Sequence, residues 1–118
     1  MEKEEFFEKL KQSLKSDDDC ERYEAAILIG APETVDLEKS YDLALLLHPL
    51  LKDRHDHVRY YAAVSIGNLG YKESLPFLKN ALPVVGLEII SEKPTTKGIE
   101  GVEDAINWAI KKIEGFKE

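Results

Sequence analysis

The 118-residue sequence predicts an all-α protein, a short right-handed α-solenoid of antiparallel helix pairs. Three observations carry that expectation. Apolar residues recur at three- and four-residue spacing in six segments, the period of a helix with one buried face. Proline, glycine and Ser/Asp clusters punctuate those segments, leaving short turns between most of them. Two segments also repeat each other 37 residues apart, a period typical of stacked supersecondary units that cannot bury their apolar faces alone.

The elements follow in order. Met1 to Lys15 sets Phe7, Leu10 and Leu14 on one face, with acids early and lysines late, as the helix dipole favours. Asp17 to Gly30 opens on a Ser/Asp cluster suited to capping backbone N–H groups and stops at Gly-Ala-Pro. From Leu37 to Leu51, Leu43, Leu46, Leu47, Leu50 and Leu51 form a wide stripe. Pro49 interrupts it, removing one hydrogen bond and crowding the preceding turn, so a kink or a tightened last turn is expected there. Arg54 to Leu69 carries Val58, Ala62, Ile66 and Leu69 on one face, and Gly70 suits the left-handed position that closes a helix. Glu73 to Leu82 tolerates Pro76 near its first turn, and Pro83 ends it. Residues 83–100 read as a loop, apolar and β-branched at first and then rich in Pro, Gly, Thr and Lys. A last helix from Gly101 to Glu114 aligns Val102, Ile106, Ala109, Ile110 and Ile113, with Trp108 beside the stripe.

A chain of this length forms one domain, 1–118, able to bury roughly two thirds of its unfolded surface. Its net charge of -7, from 23 acidic and 16 basic residues, argues against nucleic acid and anionic membrane as partners. Cys20 is the single cysteine, which excludes an intramolecular disulfide and fits a reducing compartment; its acidic neighbours disfavour a thiolate. The longest greasy run, Leu43 to Leu51, is far short of a membrane span, and "MEKEEFFEKL" is not a signal peptide. A cytoplasmic location is expected.

Placing Ser16 over Asp53 aligns "SDDDCERYEAAILIGA" with "DRHDHVRYYAAVSIGN" without a gap. Arg22 falls on Arg59, Tyr23 on Tyr60, Ala25 and Ala26 on Ala62 and Ala63, Ile29 on Ile66, and Gly30 on Gly67. Ser16 and Asp53 become candidate N-caps, with Asp19 and Asp56 three residues on. The last helix fits the register more loosely, Val102 lying over Val58 and Glu103 replacing the arginine, as a terminal cap would. The units are thus 16–51, 53–82 and a divergent cap at 101–116.

The pattern in "LLKDRHDHVRYYAAVSIGNLGYKESLPFLKNAL", with Lys-Asp, Val-Arg, paired alanines and a Leu-Gly turn, resembles the short HEAT-like repeats of phycobilin lyases. That resemblance spans Leu14 to Leu82. It implies scaffold roles for Arg22 and Arg59, the arginine in such repeats pairing with an aspartate at a neighbouring turn, here Asp17 or Asp53. The family serves as scaffolds, lyase subunits and inhibitors alike, so the resemblance speaks to fold more than to function.

Candidate metal ligands are His55 and His57, flanked by Asp53 and Asp56. Residues one or two apart on a helix point in different directions, whereas paired histidine ligands sit three or four apart, so no metal is expected. The His-Glu dipeptides of iron-holding deoxyhypusine hydroxylases, which are also HEAT-like, do not occur. Neither a phosphate loop nor a nucleophile elbow is present, and no cofactor is expected.

Binding residues are sought on the surface instead. Tyr23, Tyr60 and Tyr71, with Tyr41 and Trp108, are of types enriched in hot spots; Val84 and Val85 could anchor an apolar contact; and Asp17, Asp18 and Asp19 could steer a basic partner. The resulting expectation is a non-catalytic protein-interaction module or scaffold. The alternatives are a small acidic immunity or inhibitor protein that masks a basic enzyme, and a lyase or lyase subunit.

Overall fold

The computed structural model describes residues 3–31, 40–81 and 101–115, and among these every regular element is helical. The expected loop at 83–100, with Val84 and Val85, and the start of the third segment at Leu37 lie outside the described residues. The α-helices are α1 (Lys3–Leu14), α2 (Asp19–Ile29), α3 (Ser40–Leu47), α4 (Asp56–Leu69), α5 (Leu75–Asn80) and α6 (Val102–Glu114).

Each helix follows from its local sequence. In α1, Phe7, Leu10 and Leu14 are buried on a single face. The apolar run of the third segment continues past α3 as a 3-10 helix, His48–Lys52, with Pro49 in its first turn. There its missing N–H forfeits no intrahelical bond, so the tightened turn absorbs the proline. Helix α4 ends on Gly70 at φ 75°, a conformation that glycine adopts without Cβ strain. A short 3-10 turn, Lys72–Ser74, leads into α5, where Pro76 again sits in the first turn.

The expected caps are displaced by two residues. Asp18, not Ser16, caps α2, accepting from the Cys20 N–H at 2.9 Å. His55, not Asp53, caps α4, its Nδ1 accepting from the His57 N–H at 3.3 Å. Ser16 and Asp53 form the turn before each cap, accepting from the N–H groups of Asp18 and His55 at 3.0 Å each. Asp53 accepts from Arg22 at the same time, so its carboxylate serves both the turn before α4 and the neighbouring unit.

Helix α4 is central, packing most extensively on α6 and then on α2. Ile29, Leu43, Leu47, Val58, Ile66, Leu78 and Ile106 are wholly buried around it, and each such side chain contributes roughly 1.5–3 kcal/mol of transfer free energy. The two aligned glycines set the spacing of the stack. A Cβ on Gly30 would lie 2.8 Å from Ser65 Cα, and one on Gly67 would lie 3.0 Å from Ala109 Cα. Ser65 also donates its hydroxyl to the Ala26 carbonyl, tying α4 to α2. The helix layer α2–α4–α6 is therefore drawn together at small residues, while α3 and α5 present their remaining faces outward.

Candidate functional site

Two surfaces stand out, one built largely from residues that the sequence singles out. The first surrounds the starts of α2 and α4, which the repeat brings side by side. Arg22 donates from Nε to Asp53 Oδ2 at 2.8 Å and from Nη2 to Asp53 Oδ1 at 2.9 Å, and from Nη1 to the Ser16 carbonyl at 2.8 Å. Asp19 also accepts from Arg22. This planar grip on a carboxylate raises the Arg22 pKa, chiefly through the hydrogen bond to Asp53. Of the two aspartates suggested by resemblance, Asp53 is thus the partner.

The acidic set is correspondingly divided. Asp18 caps a helix and Asp19 is drawn toward Arg22, with Arg54 and His55 at 3.9 and 3.8 Å. Asp17 is exposed, as are Glu21 and Glu24. Tyr23 is half-buried and lies against Tyr61 (5.8 Å between centroids), His57 (5.6 Å) and His55 (6.4 Å). The Cys20 thiol lies 4.0 Å from its hydroxyl, and that contact is the main reason Tyr23 holds its proton above the usual range.

The ligand-bearing atoms of His55, Asp56 and His57 come within 4.8 Å of one another. The divergence expected of near neighbours on a helix does not apply, because His55 precedes α4 in an extended conformation (φ -103°, ψ 129°) and folds back over it. Within that cluster, His55 Nδ1 is occupied by the helix cap, and Asp56 is buried beside Arg59. His57, half-buried against Tyr23, completes the group.

Tyr60, proposed from sequence as a surface residue, is 0% exposed and belongs to the core. Its repeat-mate Tyr23 is half-buried on α2, against Tyr61 and His57 of α4. Tyr71 is half-buried, its hydroxyl 2.6 Å from Ser40 Oγ and its ring edge-on to Tyr41 at 5.0 Å. Trp108 is partly buried against the core, with Lys112 Nζ 5.3 Å from its ring centroid.

The second surface was not anticipated. Along the outer side of α3 and α5, Tyr41, Leu45 and Phe77 are 38%, 43% and 47% exposed. Leu45 and Phe77 border a largely apolar groove of about 380 Å³, floored by His48 and Leu51 and flanked by Lys52 and Asn80. Phe77 stacks on His48, with ring centroids 4.1 Å apart and planes 14° from parallel. His48 is itself buried, its Nε2 2.8 Å from Ser74 Oγ, and burial lowers its pKa. In the sequence, Leu45 falls within the run Leu43 to Leu51 but off its stripe, so periodicity turns it outward without announcing a groove. The one available signal was Pro49, which marks where the chain tightens and turns His48 inward.

A family model for HEAT repeats matches residues 7–84. No curated protein and no solved structure matches the chain.

Proposed function

Because the chain belongs to the HEAT-repeat family, we propose that it is a non-catalytic protein-interaction module, a scaffold that presents the outer side of α3 and α5 to an apolar segment of another protein. One observation carries this reading: Leu45 and Phe77 stay exposed at a groove floored by the packed side chains of His48 and Leu51, and Tyr41 is exposed on the same helix as Leu45. Exposed aromatic and aliphatic side chains beside a concave surface are the usual anchors of a protein contact. Helix packing holds the groove floor in place, so little ordering free energy is lost on binding.

The acidic turn at Asp17 to Asp19 fits an inhibitor of a basic enzyme less well. Asp18 and Asp19 are used to cap α2 and to hold Arg22, which leaves less negative charge to offer a partner. Tyr23 and Asp17 remain the residues of that face through which such a partner would be tested. The paired tyrosines Tyr41 and Tyr71 extend the preferred surface along α3 instead.

The test is site-specific photo-crosslinking in the cells that make the protein, with a photoreactive phenylalanine at position 77 or 45 and a control at Glu8 on α1. The reading requires adducts from 77 and 45 that are absent from the control and are abolished by Tyr41→Asp. Equal labelling from all three positions, or no adduct from 77 and 45, would overturn it.

A further inference from the structure

Arg59 is 1% exposed, yet among the described residues no acceptor meets its Nε or its Nη2. The repeat shows what those two atoms are for. In Arg22, Nη1 donates to the Ser16 carbonyl, while Nε and Nη2 chelate the Asp53 carboxylate side-on. In Arg59, Nη1 donates at 2.7 Å to the carbonyl of Asp53, the residue aligned with Ser16. The guanidinium is thus anchored by the same atom on an equivalent carbonyl, and the pair left over is the same pair. In the register that sets Val102 over Val58, the position matching Asp53 is Lys97 and not an acid.

We propose that Nε and Nη2 of Arg59 form a carboxylate-binding site. A planar carboxylate fits the fork with two parallel, charge-assisted hydrogen bonds. A buried guanidinium without such a partner is strongly unfavourable, which supplies the drive for binding. Asp56 offsets part of the charge electrostatically, yet burial still lowers the Arg59 pKa, so the neighbourhood has not replaced the missing acceptor. Because Arg59 is enclosed, the ligand is either a small free carboxylate or a single acidic side chain, not a broad anionic surface.

The test reads the guanidinium directly by 15N-resolved NMR of arginine Nε–H groups, assigned through their bonds to the backbone so that no variant is needed. Sodium formate is titrated at ionic strength held constant with sodium chloride, and a blocked peptide with one glutamate is titrated separately. A saturable shift of Arg59 Nε–H, with Arg22 Nε–H unmoved because Asp53 already occupies it, is the expected result. A shift with formate identifies the site as open to free carboxylates, and a shift with the peptide alone assigns it to an acidic side chain. No shift with either, or an equal shift with chloride, overturns the proposal.

Discussion

Arg22 and Asp53, 31 residues apart in the chain, meet in a two-bond grip with side chains only 8% and 9% exposed. The contact joins the start of one repeat to the start of the next. Removing Asp53 strips Arg22 of its side-on acceptor and leaves it Asp19 and the Ser16 carbonyl, so Asp53→Ala should lower stability by about 1–3 kcal/mol. That is an appreciable share of the roughly 5–15 kcal/mol available to a small domain. Urea unfolding measures it, and a double replacement, Arg22→Met with Asp53→Leu, should recover much of the loss. A single variant that unfolds at the wild-type midpoint would refute the grip.

The aligned tyrosines should part company on truncation. Tyr60→Ala removes a fully buried ring and should cost about 3–5 kcal/mol. Tyr23→Ala, on the half-buried side of α2, should cost clearly less. Thermal unfolding of the two variants side by side checks the ranking; equal losses would mean that α4 is no more enclosed than α2.

Gly30→Ala should destabilise by about 1–3 kcal/mol, because the new methyl group meets the Ser65 backbone and neither helix can withdraw without losing packing. Gly67→Ala meets Ala109 at the slightly longer 3.0 Å and lies inside α4, where alanine's helix propensity returns up to about 1 kcal/mol. Its net loss should be the smaller of the two, as read from denaturant midpoints.

His48 gives a pH dependence of defined sign. Burial lowers its folded pKa below the ordinary value of 6.5. Between those two values the unfolded chain binds more protons than the folded one, so stability falls as pH drops through that window and is fully restored above it. Urea midpoints at pH 7.5 and 5.5 should differ less in His48→Gln than in the wild type; an unchanged difference would place the titration elsewhere.

The sequence made the helices legible because each has an apolar stripe that only one face can bury. The repeat, read from Arg22 over Arg59 and Gly30 over Gly67, exposed the stacking logic as well. Cap identity was harder to read. Ser16 and Asp53 carry the right side chains, but each serves the turn before the cap, and nothing local announces that Arg22 will also reach Asp53. Likewise Tyr23 and Tyr60 occupy equivalent positions in the repeat, yet one is half-buried and the other fully buried, a difference that the local sequence does not carry. The groove beneath Phe77 depended on the inward turn of His48, a consequence of 3-10 geometry that hydrophobic periodicity does not encode. The metal-ligand spacing rule assumed His55 to be helical, whereas it caps the helix from outside.

The placement of the Arg22 acceptor also bears on how such a chain can grow. Arg22 is anchored from behind by a carbonyl of its own unit and completed from ahead by an acid at the head of the following one, whereas Arg59 shows only the carbonyl anchor. Duplicating a unit like residues 16–52 would therefore deliver a new arginine together with the site for its acceptor, and the added unit need only carry an acid where Asp53 stands. Lengthening the array requires no invented contact, and termination requires only a change at that one position.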